Sequence, residues 1–222
     1  TVPDPTTLAD ARAIVARYDL ALDDAIRRAL DDPRNESRKP GDDVFARARF
    51  ELIGRPRDSL NAAIKVAKDA GYEVIDLGAD LEGEARDVAA LHAAMARKAR
   101  TEGKRIAIVS GGELTVTVRG KGRGGPNQEY ALALAQQLAG MENISALAAD
   151  TDGADGGAGH ATDPAGAMID ARTFAAMAAK KLDPAACLAD NDATAFFEAT
   201  GDLLITGPTL TNVNDVRVIL VD

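Results

Sequence analysis

Arg105-Ile106-Ala107-Ile108-Val109-Ser110-Gly111-Gly112 is the stretch on which the fold of this chain turns. Its apolar run opens on a charge and stops at a glycine pair, the pattern of a strand buried on both faces, of the parallel kind. Residues 144–149, Ile-Ser-Ala-Leu-Ala-Ala, repeat that pattern. Between the two, residues 114–118 alternate and are β-branched, which predicts a strand, and residues 127–138 read as a helix. Working toward the start, residues 83–100 predict an alanine-rich helix and residues 72–78 a strand. Asp58 or Ser59 caps a helix running to residue 70, with Leu60, Ile64 and Ala67 on one face and Gly71 ending it. Residues 49–54 read as a further strand. Working toward the end, helices are expected over 174–181 and 192–200, and strands over 203–206 and 216–221. Strands separated by helices define an α/β fold: a three-layer-type, mostly parallel or mixed sheet with flanking helices. Ligands of such sheets sit beyond the strand ends, so chemistry is expected in the loops after Ser110, Val118, Ala149 and Thr206.

The first residues differ in character. Thr1-Val2-Pro3-Asp4-Pro5-Thr6-Thr7 reads as an extended linker, because each residue before a proline is pushed away from helix. Thr6 or Thr7 can cap a helix over 8–18, and a second short helix is expected over 22–30. Residues 31–43, with two prolines and many charges, read as a loop. Residues 1–44 are expected to be the end of a preceding domain plus a linker, and residues 45–222 a C-terminal α/β domain. The missing initiator methionine suggests an N-terminal part against which the two helices pack.

The chain has 222 residues, 46% hydrophobic and 27% charged, as in globular proteins with a real core. Lys+Arg total 26 against 35 Asp+Glu, a net charge of -9, which disfavours general nucleic-acid binding. Aromatics are 4% with no Trp, so base-stacking surfaces are scarce. No apolar run approaches the roughly 20 residues of a membrane helix. One cysteine, Cys187, excludes an intrachain disulfide and a cysteine zinc cage, and has no basic neighbour in sequence to activate it. A cytoplasmic location is expected.

Three loops carry candidate chemistry. Arg119-Gly120-Lys121-Gly122-Arg123-Gly124-Gly125-Pro126 follows a strand and opens a helix. Its glycines would let backbone approach an anion, the helix start adds partial positive charge, and three cations surround it. A solvated flexible turn is the plainer reading. Gly120, Gly122 and Gly125 also match the dinucleotide fingerprint, a weak match alone, with only a distant Asp150 for the ribose; the P-loop pattern fails for want of Gly-Lys-Ser/Thr. Asp150-Thr151-Asp152-Gly153-Ala154-Asp155-Gly156-Gly157 could hold a divalent cation or accept a hydroxyl proton. It is not an EF-hand, because Ala154 and Ala161 stand at ligand positions. His160 follows as a loop residue or a site residue, whereas His92 belongs to a helix as a structural or exposed residue. Thr209, Asn212, Asn214 and Asp215 lie in a polar loop that is either turn chemistry or a phosphate or adenine pocket. Ser110, Gly111 and Glu113 form a similar strand-end turn.

These residues, in this order, resemble the signature of the MOFRL domain: 109–113, 118–129, 149–153 with Thr162-Asp163, and 206–209 with 212–215. The signature part covers about 104–222, and the MOFRL domain forms the C-terminal part of class II glycerate 2-kinases, many of them named hydroxypyruvate reductases. The resemblance implies two α/β domains with substrates in the cleft between them, and phosphoryl transfer from Mg-ATP to the 2-hydroxyl of D-glycerate. Arg123, Asp150 and Asp152 are then the expected catalytic residues. Arg119, Lys121 and Arg123 would neutralise phosphate or the glycerate carboxylate, and Asn127, Gln128 and Glu129 would fix the loop. Substrate or phosphate contacts would come from Ser110, Gly111, Glu113, Gly122, Gly124, Gly125, Thr209, Asn212, Asn214 and Asp215, and Mg2+ ligands from Asp150, Asp152 and Asp155. The family often places an arginine where this chain has Pro126, which shifts the essential cation to Arg123. The family is roughly twice this long, so a missing N-terminal domain would add contacts, including a catalytic lysine. ATP and glycerate are the implied partners, and a homodimer is among the open assemblies. An NAD(P)H-dependent hydroxypyruvate reductase and a noncatalytic anion-binding module are the competing readings.

Overall fold

The structure is a computed structural model that describes residues 2–157 and 159–222; Thr1, the first residue of the expected linker, lies outside them. The chain forms two compact units, residues 1–52 and 53–222. In the first, α1 (Leu8–Arg17) starts at Thr7, whose side chain and that of Asp10 satisfy each other's backbone N–H groups. The second helix, α2 (Asp24–Asp31), is capped by Asp23. Neither buries a residue completely. The strand expected over 49–54 is absent: those residues pair with nothing as a ladder, and Phe50 and Ile53 are 81% and 95% exposed. Their apolar pattern has no neighbouring strand to satisfy it.

The second unit contains, in order, α3 (Pro56–Asp69), β1 (Glu73–Asp76), β2 (Glu82–Glu84), α4 (Ala85–Thr101), β3 (Ile106–Ser110), β4 (Glu113–Thr115), α5 (Pro126–Leu138), β5 (Ile144–Asp150), β6 (Gly166–Ile169), α6 (Ala171–Lys180), α7 (Pro184–Ala189), α8 (Ala193–Thr200), β7 (Leu203–Leu204) and β8 (Asp215–Val221). Asp58, expected as a cap, is instead the third residue of α3, where its carboxylate accepts from the Arg55 N–H. A six-stranded mixed sheet runs β1-β3-β8-β5-β6-β7. Within this sheet, among the described residues, β1 and β3 pair in parallel and every other pair is antiparallel. The mostly parallel alternative fails because the last strand returns between β3 and β5, and because β6 and β7 follow β5 as antiparallel neighbours. Burial on both faces was mistaken for parallel pairing. The strand expected over 114–118 shortens to β4, which pairs with β2 in a separate two-stranded sheet.

Period-two alternation distributes the core. On β3, Ile106 and Ile108 face α4 and α5, while Ala107 and Val109 face α3 with Leu60 and Ala67. Ala85, Ala89, Ala93 and Ala96 line α4 at helical spacing and meet Ala131 and Ala135 of α5. Small side chains let the two helices approach closely, and α5 is buried over nearly its whole length between α4, the sheet and the α7–α8 pair. This places the start of α5 inside the protein, beneath the ends of β3 and β5.

Candidate functional site

The glycine-rich segment 119–125 is spoken for by the protein itself. Asn191 accepts from the Arg119 and Gly120 N–H groups at 2.8 and 2.9 Å, and Asp190 accepts from Lys121 at 3.0 Å. The Gly122 N–H donates to the Asp190 carbonyl at 2.8 Å, and Arg123 N–H to the Asp192 carboxylate at 3.0 Å. A Cβ on Gly120 would lie 2.1 Å from the Asp190 carbonyl oxygen, and one on Gly122 2.3 Å from Asp192 Cβ. Gly120 and Gly122 are thus required by backbone packing, and the main-chain N–H groups of 119–123, expected as part of an anion cradle, are taken by residues 190–192.

The start of α5 is filled as well. Asp155 accepts from the Asn127 and Gln128 N–H groups at 2.9 and 2.7 Å, and from both side-chain amides at 3.1 and 3.2 Å. A buried carboxylate thus takes the place an external phosphate would occupy at the positive helix end. Burial pushes the Asp155 carboxyl up, and the four donors counteract it. Asp155, expected as a Mg2+ ligand, is therefore the anchor of this helix, with its oxygens turned into the protein. Gln128 accepts from the Thr194 hydroxyl at 2.8 Å, and Glu129 pairs with Arg86 and accepts from Asn191 at 3.2 Å. Gly125, Asn127, Gln128 and Glu129, expected as substrate contacts, are buried.

What remains accessible gathers at one end of the sheet. The end of β3, the end of β5 and the start of β8 lie side by side, because β8 runs antiparallel between the other two. Ser110 and the Gly111-Gly112 turn lead to exposed Glu113. Asp150 is half-buried, and its carboxyl is pushed up, first by burial and then by the charges of Asp152 and Glu113. The Asp152 carboxylate accepts from the Asn212 amide at 3.2 Å, and the Asp152 carbonyl accepts from the Thr209 N–H at 3.0 Å. Thr151 ties the other side of that loop: its hydroxyl donates to the Asn214 carbonyl and accepts from the Val213 N–H. The loop bearing Thr209, Asn212 and Asn214 is thereby fixed against the Asp150–Asp152 segment. Together they border a cavity of about 370 Å³ lined by Asp152, Gly153, His160, Pro208, Leu210 and Asn212. A second cavity, about 300 Å³, is lined by Arg123, Gly124, Gln128, Asp163 and Thr194. Arg123 is exposed and held by Glu198 through two contacts of 2.8 and 3.3 Å. Arg119 and Lys121 also present exposed side chains.

Beneath the site lies a buried polar chain. Asp215 accepts from the Asn127 amide at 2.8 Å and from Arg217 at 3.2 Å. Arg217 lies 5.8 Å from the Tyr130 ring centre, and the Tyr130 hydroxyl bonds His92 Nδ1 at 2.8 Å. Arg217, Tyr130 and the burial of His92 were not read from the sequence. The alternation of β8 offered a signal, since Asp215 and Arg217 share a face with buried Ile219 and Val221. Cys187 is half-buried with its thiol pushed up by burial, consistent with an unreactive side chain.

The two titratable ends of this chain act oppositely on stability. Burial, then the Arg217 charge, lowers the His92 pKa from 6.5 to about 4, so its contribution is full above 6.5 and lost as pH falls through 4. Burial raises Asp215 from 3.8 to about 6, so its contribution is full below 3.8 and lost as pH rises through 6. Each is worth about 3 kcal/mol, and the two offset each other in the wild type. His92→Gln is expected to unmask Asp215: relative to wild type, stability rises by about 3 kcal/mol between pH 6.5 and 4. Urea unfolding at several pH values checks this; an unchanged pH slope would contradict it.

Residues 106–215 match the MOFRL family. A Thermotoga maritima D-glycerate 2-kinase is 34% identical over 99% of this chain and 51% of its own length. An Agrobacterium vitis protein with the provisional name hydroxypyruvate reductase is 44% identical over 100% of this chain and 50% of its own. The crystal structure of glycerate kinase from Thermotoga maritima superposes with a TM-score of 0.79 at 32% identity, over 99% of this chain and 51% of that one. The mixed sheet, the buried α5 and the strand-end loops are those of a MOFRL-family α/β protein. The chain belongs to that family. It spans about half the length of the curated relatives it matches. Among the described residues, no helix is long and apolar enough to cross a membrane.

Proposed function

We propose that the polypeptide containing this chain transfers the γ-phosphoryl group of ATP to the 2-hydroxyl of D-glycerate. The observation that carries the reading is the meeting of the Ser110–Glu113 turn, the Asp150 and Asp152 carboxylates and the Thr209–Asn214 loop at one end of the sheet. The kinase relatives add support, since likeness to them extends through all of these segments. Phosphoryl transfer asks mainly for positioning and charge neutralisation, which fixed loops and carboxylates can provide.

Among the described residues, no group of three or more His, Cys, Asp or Glu side chains is arranged to hold a metal. Mg2+ needs no such cage, because it takes one or two carboxylates and completes its shell with water and substrate phosphates. Asp150 and Asp152 fit that demand, and a cation there would offset the burial and then the neighbouring charges that raise Asp150. Mg2+ held there would neutralise charge on the transferring phosphates. Asn212, bonded to Asp152, and Thr209, bonded to its carbonyl, hold the Asp152 loop in place. The exposed side chains of Arg119, Lys121 and Arg123 draw anionic substrates, with Arg123 exchanging Glu198 for phosphate or carboxylate. Exposed Glu113, which follows the buried Ser110–Gly112 turn, lies at the same end of the sheet.

The reductase reading loses its one sequence support, because its fingerprint glycines pack on 190–192 and 155 and Asp155 fills the helix start. The full-length polypeptide should release ADP only when D-glycerate and Mg2+ are both present, with no NADH oxidation on hydroxypyruvate. NADH oxidation without ADP release would replace this reading with the reductase, and neither activity would favour the binding module.

A further inference from the structure

We propose that Arg217 is the positioning residue of this site, fixing the Gly111–Gly112 turn and the Asp215 carboxylate from inside the sheet. Its effect on rate rests on the phosphoryl-transfer reading; its geometric role does not.

Alternation along β8 points Arg217 into the same layer as Ile219 and Val221, where it is 1% exposed. A guanidinium is costly there unless paired and hydrogen-bonded. Its partners are specific. Nη2 donates to the Gly111 and Gly112 carbonyls at 3.0 Å each, and Nη1 reaches Asp215 at 3.2 Å. Those carbonyls belong to the turn by which the chain leaves β3 and enters β4. The Gly112 carbonyl also accepts from the Asp215 N–H at 3.3 Å. On its outer side the turn is pressed against Leu81: Gly112 has φ +89, and a Cβ there would stand 2.1 Å from the Leu81 oxygen. Arg217 supplies the inner restraint.

Asp215 carries the restraint onward to Asn127 at the start of α5. One side chain therefore ties together the β3 turn, the start of β8 and the start of α5. A planar fork can serve two successive carbonyls and a carboxylate at once, which the single ammonium of lysine cannot reproduce. Ser110 is the direct cross-strand partner of Arg217, and its buried Oγ has no hydrogen-bond partner among the described residues. The hydroxyl held at this fixed turn is thus left uncommitted.

The test uses the full-length polypeptide with Arg217→Lys, read by steady-state ADP release and by amide hydrogen exchange. The variant should lower kcat about 10–100-fold while KM for ATP moves less than about threefold. Amides of residues 111–113 should exchange at least about tenfold faster, with those of α4 and of α5 beyond its first turn unchanged. Unchanged exchange at 111–113 would overturn the proposal whatever the rate. Exchange raised throughout the sheet and helices, or failure of the variant to fold, would also overturn it by making Arg217 a general stability residue. If the wild type releases no ADP, the phosphoryl-transfer reading fails separately, and exchange at the turn alone decides the role of Arg217.

Discussion

Asp155→Ala should remove about 4 kcal/mol of stability from the full-length polypeptide, among the largest single losses this fold can show. The carboxylate accepts from two main-chain N–H groups and two side-chain amides at the buried start of α5. Deleting it leaves those donors without their acceptor, at about 1–3 kcal/mol for each unsatisfied group, partly offset by relaxation and by water from the adjoining cavity. It also removes the negative charge opposite the helix dipole. Asp155→Asn keeps one acceptor oxygen and should cost about half as much. Denaturant unfolding checks both variants. A loss under about 1 kcal/mol for the alanine variant would mean that another group caps α5.

Asp150→Asn should lower Mg2+-dependent turnover by about 100-fold or more, with little change in stability. The amide oxygen can still accept the Asp152 N–H, which Asp150 binds at 2.9 Å, so the loop keeps its shape. What disappears is one charge from a crowded group that includes Asp152 and Glu113. The same change relieves repulsion, which is why stability should hold while activity falls. A Mg2+ titration of initial rate separates the effects: the requirement should shift to higher concentration in the variant. Turnover within about threefold of wild type at every Mg2+ level would remove Asp150 from the phosphoryl-transfer machinery.

The fold was legible where periodicity was strong. The runs over 106–110 and 144–149 became central strands, and 127–138 a central helix, because long apolar patterns have few ways to be buried. Pairing direction was not legible, since an apolar strand looks the same with parallel or antiparallel neighbours once both faces are covered. Residues 49–54 show the converse, a strand-like composition that no neighbouring strand completes. The short β6 and α7 lack the length that makes a period visible.

The positions of the candidate loops were legible, and the partners of their polar groups were not. Ser110–Glu113, Asp150–Asp152 and Thr209–Asp215 were placed correctly at the strand ends, because α/β connections put them there. The glycines at 120, 122 and 125 invited an anion, yet they make room for the backbone of Asp190, Asp192 and Asp155. Nothing local to 119–125 encodes that, since the partners lie tens of residues away. Asp155 looked like a third metal ligand by sequence spacing, whereas a distant helix start claims it. Arg217 is readable in principle from the alternation of β8, which places it on the face of Ile219 and Val221.

The most direct measurement is phosphorus NMR of the full-length polypeptide incubated with ATP, Mg2+ and D-glycerate. The expected result is ADP together with phosphate esterified at the 2-hydroxyl, and neither product when glycerate or Mg2+ is withheld. ATP left intact with all three present, or phosphate released only to water, would contradict glycerate phosphorylation as the function of this site.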